Sequence, residues 1–425
     1  MTANTNTEII RAGIARRYRA EKRFKIYGLV AIMSGIIFLV FLLGVTFSNA
    51  YTALQQTYIA LDINLSAADF DNDLSALSIS SANYQAIIKK SLLEKFPGVS
   101  KRKEKKALYA LISGGAQYNL REKVMQNPEL IGKSTTFWLL ADDEVDVYMK
   151  GRTDPEVPEK NRRFKDISIG WVEQFRSEQR IEKKFNFPFF NAGDSREPEQ
   201  AGIRGAIMGS FFTILVTMLL AFPIGVAAAI YLQEFAKKNR FTDLIEVNIN
   251  NLAAVPSIIF GLLGLAIFIN LFGLPRSIPL VGGMVLALMT LPTIIISSRA
   301  ALAAVPPSIR EAALGVGASP IQTVLHHVLP LAMPGMLTGA IIGLAQALGE
   351  TAPLLVIGMV AFIVDIPTSP VDPSTVLPVQ IYLWADSPER AFVERTSAAI
   401  MVLLMFLVAF NGLIVLLRKK FERRW

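Results

Sequence analysis

Six long segments of this chain carry almost no charge, and they constrain the fold more than any other feature. Inside a bilayer every backbone N–H and C=O must find a partner within the protein, so such a segment crosses as an α-helix. Residues 26–47 would extend about 33 Å as a helix, enough to cross a bilayer core. The other five are 205–232, 247–274, 277–298, 333–364 and 396–417. We therefore predict an all-α polytopic membrane protein with six transmembrane helices.

Composition supports this class and excludes several others. Hydrophobic residues make up 52% of the chain and charged residues 18%. With no cysteine, the chain has no disulfide, no thiolate metal site and no thiol catalysis. The two histidines, His326 and His327, are adjacent, so on a helix they point to different faces and make a poor chelate. We expect no metal and no cofactor.

The placement of basic residues predicts the orientation. Basic residues concentrate in the segment 1–25, at 237–240 and in the tail from Arg418 to Arg424. Six spans place these three regions on one side, together with the loop 297–334, and the positive-inside rule makes that side the cytoplasm. The net charge of +8 is thus an orientation signal, and no nucleic-acid partner is expected. The prediction is a multi-pass protein of the bacterial inner (plasma) membrane with both termini cytoplasmic.

The segment 48–202 differs from the rest, because it is polar and has no apolar run of span length. We predict an extracytoplasmic α+β insert between the first and second spans. Helical periodicity appears at 82–96, 105–113 and 171–185, and 135–149 is predicted to form a strand pair around Asp142 and Asp143. Its basic run, Lys101 to Lys106, is either a solvated helix face or a site for an anion.

The resulting domain order has five parts. They are a basic N-terminal segment (1–25), the first span (26–47), the insert (48–202), a membrane domain (203–417) and a basic tail (418–425).

The loop 297–334 is charged and broken by proline, so it must be exposed on one side of the membrane. Pro306-Pro307-Ser308 predicts the start of a short helix, with Ser308 as N-cap and Glu311 as its capping-box partner. Gly315 and Gly317 predict its end. Ser319 and Pro320 predict the start of a second short helix that runs toward Leu329-Pro330. A helix pair held outside the membrane is suited to insertion into a groove on a partner.

These residues carry a resemblance. Glu311-Ala312-Ala313, with Gly317 and the following Leu329-Pro330, resembles the EAA loop of bacterial ABC-importer permeases. The stretches 251–261 (NLAAVPSIIFG) and 348–355 (LGETAPLL) are similar to phosphate-specific permeases of PstA type. The resemblance covers residues 203–425. It implies an inner-membrane permease subunit of a phosphate importer, whose EAA loop docks on an ATP-hydrolysing subunit.

The resemblance also implies partners. They are a second phosphate permease, two ATP-binding subunits and an extracytoplasmic phosphate-binding protein, besides the membrane lipid. No complete ATP-binding loop and no catalytic constellation is found in this chain, so ATP hydrolysis is expected on another subunit and the chain is not expected to be an enzyme.

Glu350 is the only charge inside a predicted span, and a charge at that depth is expected to face a bundle interior, a partner or water. In the family that this chain resembles, the turn at Glu350-Thr351 lies near the translocation pathway. The family often has Arg at the position of Gln346, so a phosphate-contacting Arg from this subunit is in doubt. Pathway candidates are Glu350, Thr351, Gln346 and Ser257, with Arg204 and Arg299 as weaker basic substitutes.

Two alternatives remain open. One is a permease of the same architecture for another oxyanion. The other is a membrane-anchored sensor or scaffold in which the insert binds a ligand and the spans are an anchor.

Overall fold

A computed structural model describes residues 2–70, 76–153 and 157–421, and the chain there is mainly helical. Of the predicted basic tail, Arg423 and Arg424 lie outside the described residues. The elements form an α+β insert and a set of apolar helices.

The first helix, α1 (Thr2–Ala53), contains the predicted span 26–47 and continues beyond it at both ends. Its part from Arg16 to Ala53 is long and apolar enough to cross a membrane. Most side chains of this part are exposed, which is expected of a helix whose surroundings are lipid. α1 packs along the last helix of the chain, α18 (Phe392–Phe421).

The insert contains one antiparallel sheet of three strands in the order β2–β1–β3. The strands are β1 (Gln55–Asn64), β2 (Ser134–Leu140) and β3 (Ile181–Phe185). Its helices are α2 (Ala76–Ser81), α3 (Tyr84–Lys95), α4 (Arg102–Tyr109), α5 (Ala116–Gln126), α6 (Asp143–Met149), α7 (Asp166–Ser177) and α8 (Phe187–Asn191). Alternate side chains of β1, from Ile59 to Ile63, join the buried core with Leu92, Leu120 and Phe175.

Two secondary-structure predictions for the insert were wrong for the second half of the segment concerned. Residues 135–149 are a strand followed by helix α6, because the Asp142 side chain accepts the Glu144 N–H and starts a helix instead of a hairpin turn. Residues 171–185 are not one helix, since α7 ends at Ser177 and Gln179 has φ +58°. After this turn the chain pairs with β1 as strand β3.

The helical region begins at α9 (Arg204–Ile230). The elements that follow are α10 (Arg240–Ala253), α11 (Ser257–Gly264), α12 (Pro279–Ala303), α13 (Pro307–Gly315), α14 (Pro320–Gln322), α15 (Leu329–Gly349), α16 (Ala352–Val356), α17 (Leu377–Ala385) and α18. Three π-helical segments extend this framework, at Tyr231–Phe235, Leu265–Leu271 and Thr323–Val328.

Within the described residues, five helices can span a membrane by length and composition, or six if one bent pair counts as a span. That pair is the predicted third span, 247–274, which is not one continuous helix. α10 and α11 meet at a bend of 101°. Pro256, the N-cap of α11, causes the break, because proline lacks an N–H and disfavours helical backbone at Val255.

The predicted fifth span, 333–364, also differs from the structure. α15 ends at Gly349, and Glu350 follows with extended backbone (φ −80°, ψ 127°). Glu350 therefore lies in a break between two helices and not inside a span.

Candidate functional site

The helix α13 forms the exposed part of the loop 297–334. Pro306 is its N-cap and makes no side-chain hydrogen bond, while Pro307 occupies the first helical turn, where a missing N–H has no consequence. The predicted capping box from Ser308 to Glu311 is wrong, because Ser308 already lies inside the helix. The Glu311 side chain is exposed and does not cap α13.

The end of α13 confirms the predicted role of Gly317, which has φ +89°. The Gly317 N–H donates to the Leu314 carbonyl (3.0 Å) and the Ala318 N–H donates to the Ala313 carbonyl (3.1 Å). This is the Schellman arrangement, in which a left-handed residue lets the last carbonyls of a helix find donors. A Cβ at Gly317 would meet no atom within 4 Å, so the requirement for glycine here is conformational.

The second predicted helix start is confirmed. The Ser319 side chain accepts the Gln322 N–H (3.3 Å), and the Gln322 side chain accepts the Ser319 N–H (2.9 Å). The helix does not stop at Leu329-Pro330, however. It passes through the π-helical segment Thr323–Val328 and continues as α15, so Pro320–Gly349 forms one stretch of 30 residues. A π-helical turn re-satisfies backbone groups that a proline leaves free, which accounts for Pro330 inside this stretch.

Arg310 holds α13 against the ends of two membrane helices. Its guanidinium donates to both carboxylate oxygens of Glu234, at 3.0 and 2.7 Å. It also donates to the carbonyls of Val305 (2.7 Å) and Leu302 (2.9 Å). The Glu234 carboxylate raises the pKa of Arg310 above its ordinary value. A bidentate pair of this kind fixes orientation as well as distance, so the loop is held rigidly.

The outward surface of the loop is largely apolar. Ala313 is buried, whereas Glu311 and Ala312 are exposed. Val316 is 84% exposed and Ile321 60%. Leu314 and Leu325 are also exposed, and together these four aliphatic side chains form what we call the loop tip. Leu329 and Pro330 are half-buried at the base of the stretch.

Glycines of α15 let this helix approach α12 closely. A Cβ at Gly335 would lie 2.6 Å from the Ala301 Cβ, and one at Gly339 would lie 1.8 Å from the Ser297 Oγ. The third glycine of the series, Gly343, meets Thr290 and Ile294. The close approach predicted from the four-residue spacing is therefore present at the contact of α12 with α15.

The two further stretches that carry the resemblance pack against each other. A Cβ at Gly261 of α11 would lie 2.7 Å from the Pro353 Cα of α16. One turn further, Gly264 lies beside Val285 and Ile357. The two glycines therefore let α11 pack closely on α16 and on Ile357, which follows it. Ser257, four residues before Gly261, shares its helix face.

The pathway candidates differ in exposure. Gln346 is exposed, and Glu350, Thr351 and Ser257 are half-buried. The Thr351 carbonyl accepts the N–H groups of Leu354 and Leu355, which starts α16. Among the described residues, no side chain forms an ion pair with Glu350.

The two basic substitutes lie in different surroundings. Arg204 is exposed at the beginning of α9. Arg299 is already paired with Glu246 of α10, at 2.6 Å. This pair joins α10 to α12 near the loop, so Arg299 is not a free cation for an anion in the pathway.

A buried charge cluster between the insert and α18 was missed by the sequence analysis. Lys150 lies 2.5 Å from the Asp146 carboxylate and 2.6 Å from the Glu394 carboxylate, and all three side chains are almost fully buried. Asp146 also accepts the backbone N–H and the hydroxyl of Thr57. Next to Glu394, buried Arg395 donates to Gln56 of β1 (2.5 Å). Sequence offers no signal for this cluster, because 244 residues separate Lys150 from Glu394.

Carboxylates collect on the other side of α6. Glu199 is buried, accepts a hydrogen bond from the Ser113 hydroxyl, and has a second oxygen without a partner among the described residues. Burial raises the pKa of Glu199 to about 7. Burial, reinforced by Asp143 and Glu199, also raises the pKa of Asp142. In the described part of the chain no group of three His, Cys, Asp or Glu side chains has the geometry to hold a metal ion.

Two family models match different parts of the chain. Residues 221–425 match the family described as binding-protein-dependent transport system inner membrane component. Residues 11–159 match a domain of unknown function, DUF3333. The family match thus contains the loop tip and the helices α10 to α18, and the second match contains most of the insert.

Individual relatives match about half of the chain. The chain is 34% identical over 172 residues to the probable ABC transporter permease protein YqgI of Bacillus subtilis, which is 40% of this chain and 58% of the relative's length. It is 30% identical over 229 residues to the phosphate transport system permease protein PstA 1 of Mycobacterium tuberculosis, covering 53% of this chain and 74% of that protein. A structure of the MetNI methionine ABC transporter aligns with a TM-score of 0.44 at 19% identity, over 52% of this chain and 96% of that chain. A TM-score this low supports no argument.

These relatives are permeases and not enzymes, which agrees with the sequence prediction. The family match and the coverage of three quarters of a 30%-identical relative lead to one conclusion: the chain belongs to the family of binding-protein-dependent transport system inner membrane components.

Proposed function

We propose that this chain is a permease subunit of an ATP-driven importer of inorganic phosphate. The observation that carries the proposal is the loop tip, an apolar surface beside helix α13, which Arg310 clamps to the membrane helices. The names of the PstA relatives support phosphate as the substrate. In the proposal this subunit forms the pathway with a second permease, and two ATP-binding subunits and an extracytoplasmic phosphate-binding protein complete the importer.

The loop tip is the proposed docking surface for an ATP-binding subunit, with Glu311, Ala312, Ala313 and Gly317 as its motif residues. Four exposed aliphatic side chains, at the end of α13 and the start of the next helical stretch, are suited to a partner groove. Leu329 and Pro330 lie at the base of the tip, in the helical stretch Pro320–Gly349. That stretch of 30 residues is about 45 Å long, so a displacement at the tip is carried directly to the Glu350 turn.

The pathway residues in the proposal are Ser257, Gln346, Glu350 and Thr351. The close contact of α11 with α16 supports this grouping, because Ser257 begins α11 and the Glu350 turn directly precedes α16. Gln346 and Glu350 are four residues apart, and Gln346 continues the exposed side of α15 that includes Ile342. We assign this side to the second permease, which supplies a basic partner for Glu350.

The proposed domain order keeps the segment 1–25, the loop 297–334 and the tail 418–425 in the cytoplasm, and the insert 48–202 outside. The supporting observation is the concentration of basic residues on one side of the spans. Reporter fusions at Glu129 and at Lys238 should report opposite compartments. A cytoplasmic signal at Glu129 would contradict both the topology and the assignment of the loop.

The substrate is tested with the assembled importer in liposomes. We expect the phosphate-loaded binding protein to stimulate ATP hydrolysis and the accumulation of labelled phosphate. Sulfate- or molybdate-binding proteins serve as matched alternatives. Stimulation by one of these and not by the phosphate-binding protein would retain the permease assignment and reject phosphate.

A further inference from the structure

A cavity of about 270 Å³ lies where the insert meets the segment that leads into α18. At about 30 Å³ per water, it has room for a small anion and several water molecules. Its polar lining comes from the insert, with one residue from the segment before α18: Glu144, Thr153, Asn161, Arg162, Arg163 and Arg390. Three guanidinium groups, an amide and a hydroxyl therefore surround one small space.

The arginines of this cavity are incompletely paired. Arg162 donates to Asp166 at 2.6 Å, but its buried Nε has no hydrogen-bond partner among the described residues. Arg163 lies 3.9 Å from the Glu144 carboxylate, too far for a hydrogen bond. Arg390 is exposed and forms no ion pair in the described part of the chain. Among the described residues, guanidinium N–H groups, the Arg162 Nε among them, are therefore left for a further acceptor.

Glu144 is the one carboxylate among the described residues of the lining. Burial and the neighbouring Asp143 raise the pKa of Glu144, while Arg163 and Arg390 act in the opposite direction. Among the described lining residues three arginines accompany one carboxylate, and Glu389, next to Arg390, is a further carboxylate that interacts with Arg163.

We propose that this cavity binds a tetrahedral oxyanion of the phosphate class between Arg162 and Arg163 of the insert and Arg390 of the segment before α18. Arginine is suited to this ligand, because its planar fork donates two parallel hydrogen bonds to phosphate oxygens. The bound anion bridges the two parts of the chain on the outer side of the proposed topology. The site is distinct from the pathway candidates around Glu350 and goes beyond the proposed transport function.

The test is phosphate binding by the purified full-length protein, measured by calorimetry in detergent against chloride of equal ionic strength. We expect saturable binding that weakens by about tenfold or more in Arg163→Gln and in Arg390→Gln, the scale of one lost charge-assisted hydrogen bond. The matched control is Arg176→Gln, an exposed insert arginine of α7 that does not line the cavity. It should bind phosphate like the wild type.

A second arm separates free phosphate from the phosphate group of a lipid. Nanodiscs with and without phosphatidylglycerol are titrated with phosphate. If phosphatidylglycerol competes and the competition is lost in the two arginine variants, the oxyanion is a lipid headgroup; if it has no effect, the oxyanion is free phosphate. Unchanged phosphate affinity in both variants, or no binding of either source, would overturn the proposal. Because no transport is measured, failure of phosphate uptake would leave this result standing.

Discussion

At the scale of single residues, the Glu350 carboxylate has no ion-pair partner among the described residues, in a break between two helices. A half-buried carboxylate without a partner in its own chain is expected to act on something outside it. Its position could be predicted only in part. The sequence identifies the isolated charge, but the extended backbone that ends α15 depends on the packing of α16 against α11.

We expect Glu350→Gln to reduce phosphate uptake while the complex remains assembled. Glutamine keeps the volume and most hydrogen bonds but removes the charge from the field through which a dianion passes. The measurement is initial uptake rate together with recovery of the second permease. Gln346→Glu is measured as a companion variant. A wild-type initial uptake rate in Glu350→Gln would exclude a role of the charge in transport.

A second residue-scale prediction concerns Glu199. Its pKa in the folded protein, about 7, is above its ordinary value of 4.5, so the folded state binds the proton more tightly than the unfolded state. The contribution of Glu199 to the free energy of unfolding is therefore complete below about pH 4.5 and is lost as the pH rises through about 7. Asp142, whose pKa is also raised, acts in the same direction.

Thermal unfolding of the purified protein at pH 5 to 9 tests this prediction. We expect the melting temperature of the wild type to fall across this range by more than that of Glu199→Gln, which cannot ionise. Glu94→Gln, at an exposed carboxylate of α3, is the control and should keep the wild-type slope. Parallel curves for wild type and Glu199→Gln would show that Glu199 does not titrate in this way.

At the scale of elements, the loop was largely predictable because its signals are local. Gly317 and Ser319 act within a few residues of themselves, and both are confirmed. The error at Ser308 arose because Pro306 occupies the cap position that the serine was expected to take. The pairing of Arg310 with Glu234 was not predicted, since the two residues are 76 positions apart.

We expect Arg310→Lys to weaken the recovery of the ATP-binding subunit while the protein stays inserted. Lysine keeps the charge but cannot hold both oxygens of Glu234 and two carbonyls at once, so α13 loses its fixed orientation. The measurement is co-purification of the ATP-binding subunit, with Arg240→Lys, at an exposed arginine, as control. Equal recovery in both variants would show that the Arg310–Glu234 pair is not needed to orient α13 for the ATP-binding subunit.

At the scale of the whole molecule, the insert and the last membrane helix are joined through buried charges. Lys150 forms ion pairs with Asp146 of the insert and Glu394 of α18 at the same time. Such contacts form only when distant parts of the chain fold together, and this is why the sequence showed the insert but not its attachment. The central strand β1 was also not predicted. Only one residue, Leu54, separates it from the end of α1, so no loop in the sequence marks where the helix ends and the strand begins.

We expect Lys150→Met to destabilise the protein by about 3–5 kcal/mol, since it leaves buried Asp146 without a cation and Glu394 with only the more distant Arg152, at 3.8 Å. The double variant Lys150→Met/Glu394→Gln should recover part of this loss. The control is Lys25→Met, which removes an exposed pair with Glu21 and should change stability by about 0–1 kcal/mol. Equal small effects of Lys150→Met and Lys25→Met in denaturant unfolding would contradict the buried network.

The exposed loop is proposed to couple this membrane chain to ATP hydrolysis by a partner. Gly317→Asp tests this coupling most directly. Aspartate disfavours the φ of +89° at this position, so the end of α13 and the loop tip are displaced while the membrane helices are not touched. ATP-binding subunit recovery and labelled phosphate uptake are measured in the same cells. We predict that the variant inserts and pairs with the second permease but loses the ATP-binding subunit and uptake. Normal recovery of the ATP-binding subunit and normal phosphate uptake would contradict the coupling role of the loop.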